Sequence, residues 1–324
     1  MLSVRENFLR ALRGEIPEYV PRYSIMWGIR GSFMNGDRVG GVGKDMYGVE
    51  WTKEGSAIDA TLPKPNDFIL DDIRKWRDVI KYPDFTKIDW EAQSKKDLEN
   101  ADPDLPRGGG TAGIGFFQAL MSFMGFTNGL IACHEEPDEV KELLNYLCDG
   151  ALSFADKYVY YYKPDYIMFA DDIAHERNPF VSLEMFRDIF EPVWRRYIKH
   201  FKDQGYLAVH HNCGHFELFL DDVVDMGFNA WDPAQMSNDL VAIKKKFGNK
   251  LMICGGLESR SFLPHMDVSE EEIRALVKKV MDDLAPSGGY AFLGGGAMGG
   301  DSIAAKRAEW VNDEYEKLKF TYYS

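Results

Sequence analysis

His211 and Cys213 stand two residues apart, and on an extended chain that spacing points both side chains the same way. One imidazole and one thiolate converging on a point are half of a zinc site, to which Cys254 offers a soft third ligand and Asp172 a hard one. Three protein ligands with a fourth position open is the arrangement of a catalytic zinc. An H-x-C pair also arises without a metal, and a buried cysteine is commonly a small hydrophobe. A second chemistry is written in Asp171-Asp172, adjacent carboxylates after an apolar run. Neighbours at a strand end point to opposite sides, so one carboxylate reaches a common interior; if it is Asp172, Ala170 and Met168 share its side. A carboxyl group at the rim of an apolar cavity can work as a general acid. The other reading of such an aspartate is a cap that holds backbone N–H groups.

These residues need elements to position them. Short runs rich in aromatic and aliphatic residues, each ending at polar residues or glycine, predict strands at Arg22–Trp27, Gly113–Phe117, Tyr166–Ala170, Tyr206–His211, Phe228–Trp231, Lys250–Cys254 and Tyr290–Leu293. Helical periodicity separates them. Val140, Leu143, Leu144, Leu147 and Ala151 keep one face of Pro137–Ala155, and Ile273, Leu276, Val277, Val280, Met281 and Leu284 do so in Ser269–Ala285. Ser269 followed by Glu272 is a capping-box pattern. Alternating strands and helices with no G-x-G-x-x-G turn predict an α/β fold, a closed (β/α)8 TIM-type barrel. The chain 1–324 reads as a single barrel domain with an N-terminal helical and hairpin extension, and a hairpin and wrapping segment inserted at about 46–110.

In such a barrel the chemistry sits where the strands end. That rule gathers Asp171, Asp172, His211, Cys213 and Cys254, and leaves His210 facing the helices and His215 at a helix start. Met26, Trp27, Phe116, Phe117, Met121 and Phe123 are candidates to line an apolar pocket for a flat ligand, with plain core as the competing role. Gly294–Gly296 removes side chains where a large ligand or partner would need room.

Composition sets limits. The chain carries 38 basic and 52 acidic residues, a net charge of −14, and no basic cluster. Phosphate contacts need clustered Lys and Arg, so neither nucleic acid nor a membrane surface is an expected partner. Four cysteines without a C-x-x-C pair, and an N-terminus without an apolar signal region, predict a reduced, cytoplasmic setting.

An ordered set of segments resembles the uroporphyrinogen decarboxylase superfamily, specifically its corrinoid-dependent methyltransferase branch. The set runs from RENFLRALRGEIPEYVP (5–21) through YGVEW (47–51), FADDIA (169–174) and SLEMFRDIFEP (182–192). It continues with HNCGHFELFLDDVVDMGFNAWDP (211–233), ICGGLE (253–258) and GGYAFLGGG (288–296). The resemblance implies a (β/α)8 barrel that moves methyl groups between a small compound and the cobalt of a separate corrinoid protein docked at the barrel mouth. Zinc-containing members carry H-x-C plus a cysteine at the end of the last strand. His211 and Cys213 match, but the third position falls within Gly294–Gly296, so Cys254 would have to substitute from a neighbouring strand. The segment SIMWGIRGSFMNGDRVG, with Arg30 and Arg38, lacks the closely spaced arginines and glutamine of the true decarboxylase.

The resemblance therefore implies an enzyme that demethylates a small methylated donor, most nearly a methoxylated aromatic. Phenolate is a poor leaving group, so charge on the ether oxygen must be stabilised, by Asp172 acting with His211 as a proton source or by zinc. Asp171 joins the substrate-binding candidates Met26, Trp27, Phe116, Phe117 and Cys213. The competing expectations are a porphyrinogen decarboxylase, a zinc-dependent methylcorrinoid:thiol methyltransferase and a non-catalytic barrel that binds a small molecule.

Overall fold

A computed structural model describes residues 1–54, 61–257, 268–294 and 302–323. Seven short strands form a wholly parallel curled sheet: β1 (Gly28–Ile29), β5 (Gly108–Gly109), β6 (Tyr166–Ala170), β7 (Leu207–His211), β8 (Ala230–Ala234), β9 (Met252–Gly256) and β10 (Tyr290–Leu293), in that spatial order. The numbers between belong to a small antiparallel sheet of β2 (Gly43–Lys44), β3 (Glu50–Thr52) and β4 (Leu62–Pro63). The wall closes through the chain just before β1. Phe292 N–H donates to Pro21 O at 2.8 Å, and Tyr23 N–H donates to Phe292 O at 2.9 Å. The result is a TIM-barrel-like α/β fold.

Strand alternation sorts side chains into two cores. Ile167 and Phe169 of β6 and Ile253 of β9 face the surrounding helices, whereas Tyr166, Met168, Met252 and Cys254 face the barrel interior. Helix α1 (Val4–Leu12) lays Phe8, Ala11 and Leu12 into that interior cluster, with the Phe8 and Tyr166 rings 5.7 Å apart. Tyr166 opens β6, so α1 fills the end of the barrel opposite the strands' C-termini. Ser3 starts the helix, its hydroxyl accepting from Glu6 N–H.

The first two strands differ from the sequence expectation. Arg22 makes a lone bridge and Ile25–Trp27 is a 3-10 turn, so the first strand begins at Gly28. The second is Gly108–Gly109, not Gly113–Phe117, because Phe116 already opens the helix Phe116–Glu135. An aromatic pair beside glycines suits either a strand or a helix entry, and here the turn decides. That helix is long and apolar enough by length and composition to cross a membrane, but 67% of the window is buried inside the fold. Gly125 breaks it with φ 75°, and a Cβ there would lie 2.6 Å from the Phe68 ring. The helix Glu270–Leu284 begins at a complete capping box between Ser269 and Glu272.

Candidate active site at the strand ends

Register brings the chemistry together. Ala170 of β6 is the partner of His211 of β7, which in turn is the partner of Asp232 of β8. Partners in adjacent strands share a face, so His211 and Asp232 lie side by side, with Asp172 two residues beyond Ala170.

The two adjacent aspartates divide the work. Asp171 is 0% exposed and points into the wall. Its carboxylate accepts from Phe117 N–H (3.0 Å), Gln118 N–H (3.0 Å) and Trp194 Nε1–H (2.8 Å). It therefore caps the Phe116–Glu135 helix from outside, since Gly115 at the N-cap has no side chain to do so. A Cβ at Gly115 would lie 2.2 Å from Asp171 Cβ, so glycine is what lets the two approach. Burial pushes the Asp171 carboxyl up to about 7 against the pull of those three N–H groups. The expectation that Asp171 binds substrate is corrected: both its oxygens serve the fold.

Asp172 is the inward one. Cys213 N–H donates to its Oδ1 at 2.8 Å and the Gln118 amide to its Oδ2 at 3.1 Å. Asp172 Oδ1 lies 3.9 Å from His211 Nε2, and Cys213 Sγ lies 3.8 Å from the same nitrogen. The ligand atoms of Asp172, His211 and Cys213 all fall within 4.8 Å of one another. On the other side of the imidazole, His211 Nδ1 is 2.8 Å from Asp232 Oδ2. Burial lowers the basicity of His211, but the charge and hydrogen bond of Asp232, with help from Cys213 and Asp172, raise its pKa well above that of a free imidazole.

The other candidates lie elsewhere. Cys254 is fully buried in the interior cluster with Met252, where burial raises its thiol pKa strongly. It is not part of the Asp172–His211–Cys213 group, so among the described residues the candidate third donor beside His211 and Cys213 is Asp172. Phe116 packs on Phe169 and Tyr197, and Phe117 on Phe180 and Phe190, in the layer between sheet and helices. Neither lines the cavity, because both sit on the first helical turn and face outward from the barrel. Trp27 meets Phe8 and Tyr23 edge-on near the α1 end and is not among the residues that line the cavity. The Met26 side chain and Gly295–Gly296 lie outside what is described; Gly294 O accepts from Arg22 at 3.0 Å.

His210 faces outward as its alternation requires, boxed by Phe169, Trp194, Phe216 and Phe228, and burial takes its pKa down to about 3. His215 ties the loop, its Nδ1 2.7 Å from Ser237 O. Two residues of the site escaped the sequence reading. Gln118 has no local signal. Asp232 had one: it is the first acid after the apolar run of β8, one strand on from His211.

A cavity of about 280 Å³ lies along the strand that leads into Asp172, walled by Ile25, Ile29, Met168 and Ala170 and by the glycine backbone of β5, with Arg30 at its edge; Asp172, His211 and Cys213 themselves do not line it. Arg30 donates to Gly113 O at 2.7 Å. Met168 and Ala170 are the inward residues of the strand that runs into Asp172.

A parallel barrel closed at one end by a helix, with an oxygen, nitrogen and sulfur donor meeting at the other, defines the class: a TIM-barrel-like protein with a candidate metal centre at the strand ends. The family model of uroporphyrinogen decarboxylase (URO-D) matches residues 70–304, more than half of the chain, with Asp172, His211, Cys213 and Asp232 inside the match. The chain belongs to the uroporphyrinogen decarboxylase family. Among solved structures it is similar to a methyltransferase from Methanosarcina mazei, at 17% identity and a TM-score of 0.68, over 98% of this chain and 100% of that one. A search of curated protein sequences found no match.

Proposed function

We propose that the chain is a methyltransferase that takes a methyl group from a small methylated donor, a methoxylated aromatic, and passes it to the cobalt of a partner corrinoid protein docked at the barrel mouth. The observation that carries this reading is the meeting of Asp172, His211 and Cys213 at the end of the strand whose Met168 and Ala170 line a small cavity of mixed polar and apolar character. The likeness of the whole fold to the Methanosarcina methyltransferase supports it. At about 280 Å³ the cavity is at the small end of ligand sites, which run to roughly 300–1,000 Å³, and it suits a small donor better than a tetrapyrrole. Arg30 is the one charged residue among the described residues lining it, too little positive charge for an octacarboxylate. This disfavours the decarboxylase alternative.

The three side chains fit zinc. A tetrahedral zinc with bonds of about 2.0–2.3 Å sets its donor atoms roughly 3.3–3.6 Å apart. The separations of 3.9 and 3.8 Å from His211 Nε2 need only small contraction. Bound by these residues, zinc would supply a Lewis acid for the oxygen that loses the methyl group. Asp172 serves as a ligand in this reading, not as a proton donor, because the Cys213 N–H and the Gln118 amide already turn their hydrogens toward its two oxygens. The chain itself orients the donor: Ile25, Ile29 and Met168 hold an apolar ring so that its ether oxygen faces the strand ends.

The test supplies a reduced corrinoid protein with a methoxyarene, a methylamine or methanol in turn. Conversion of cob(I)alamin to its methylated form with the methoxyarene supports the proposal. No conversion with any donor, alongside release of carbon dioxide from porphyrinogen carboxylates, would overturn it.

A further inference from the structure

Asp232 has no part in the proposal above, yet its surroundings single it out. The residue is 1% exposed, and its ion pair among the described residues is with His211. Its second oxygen, Oδ1, is buried with no hydrogen-bond partner among those residues, and so is the hydroxyl of Tyr166. Tyr23 and Tyr166, both buried in the barrel interior, lie within electrostatic reach of this carboxylate, and the Tyr23 hydroxyl stands in loose hydrogen-bonding reach of both the carboxylate and Tyr166. A carboxylate taken out of water costs several kcal/mol unless opposite charge or hydrogen bonds compensate. Here the compensation comes from the imidazole of His211, whose Nδ1 stands 2.8 Å from Oδ2.

We infer that Asp232 is a positioning residue for metal binding: it holds a hydrogen on Nδ1 of His211 and so presents the Nε2 lone pair to the point shared with Asp172 and Cys213. An ionised carboxylate only accepts, so an imidazole nitrogen bonded to it must carry the hydrogen. The other nitrogen is then the one that ligates, its own proton leaving as the metal binds. The backbone makes the contact hard to lose. His211 and Asp232 are register partners, and Asn212 N–H donates to Asp232 O at 2.8 Å. The carboxylate also makes the imidazole a stronger donor, and loss of such outer partners typically lowers metal affinity about 10- to 100-fold.

This inference rests on the reading of the three side chains as a zinc site, and the experiment separates the two. Zinc affinity is measured by competition with a chromophoric chelator for the full chain and for Asp232→Leu and Asp232→Asn, with thermal melts alongside. Asp232→Leu, which keeps bulk and removes the acceptor, is expected to bind zinc about 10- to 100-fold more weakly. Asp232→Asn, which keeps an acceptor oxygen without the charge, should fall between it and the parent. A parent chain that takes up no zinc overturns both readings. A parent that binds zinc, with Asp232→Leu binding equally tightly, overturns this inference and leaves the metal site standing. A lower melting temperature with unchanged affinity marks a purely structural role and overturns it too. Should Asp232→Leu not fold, ¹⁵N NMR of the cadmium-loaded parent decides: metal coupling on Nε2 of His211 is expected, and coupling on Nδ1 refutes the inference.

Discussion

His211 and Asp232 are paired positions on neighbouring strands, and their side chains meet at 2.8 Å on the inner wall of the barrel. The alignment of two strands thus fixes the orientation of one ring. A slip of a single residue would turn His210 inward and His211 out among the aromatics.

Zinc uptake is expected to depend on the three converging side chains and not on Cys254. Cys213→Ser replaces a soft donor with a hydroxyl of similar size and should lower the zinc retained through dialysis, read by atomic emission. Cys254→Ser should retain zinc as the parent does, since that thiol lies in the interior cluster.

Asp171→Ala is expected to destabilise the fold by at least about 3 kcal/mol in urea unfolding. It strands two backbone N–H groups and the Trp194 indole, each buried donor costing about 1–3 kcal/mol. A loss under about 1 kcal/mol would show that Asp171 is not the cap described.

The acid limb of stability should carry the signature of His210. Its folded-state pKa, about 3, lies below the ordinary 6.5. Between those values the unfolded chain binds the extra proton, so this group makes stability rise with pH, by up to about 1.4 kcal/mol per unit. Asp171 acts oppositely: raised to about 7, it contributes most at low pH and loses that contribution as pH rises through 7. His210→Leu removes the first slope alone, so the difference between parent and variant unfolding free energies, measured from pH 4 to 7, isolates it. A constant difference across that range would refute the assignment.

Phe117→Ala tests the move of that residue from pocket to core. The ring is fully buried against Phe180 and Phe190, and its loss is expected to cost about 3–5 kcal/mol. Zinc uptake by the folded variant should match that of the parent. A variant of undiminished stability would return Phe117 to the cavity.

Period-two alternation and the rule that barrel chemistry sits at strand ends made β6 and β7 legible, and with them Asp172, His211 and Cys213. The same alternation separated His210 from His211. What it did not reach is long-range: Asp171 serves a helix that begins 55 residues earlier in the chain, at Phe116. Which of Cys254 and Asp172 stands beside His211 and Cys213 was equally hidden, because both sit near strand ends and only depth in the barrel tells them apart. Phe116 and Phe117 were misplaced for a local reason. Gly113–Phe117 has strand composition, but Asp171 recruits its backbone N–H groups into a helix entry.

Helix α1, with Phe8, Ala11 and Leu12 seated in the interior, acts as a stopper. Among the described residues that leaves the opposite end as the way to His211, and two reactants sharing one doorway cannot pass each other. In the proposed reaction the methylated compound would therefore enter before the bulky cobalt carrier covers the opening, and its demethylated remainder would leave only after the carrier steps away.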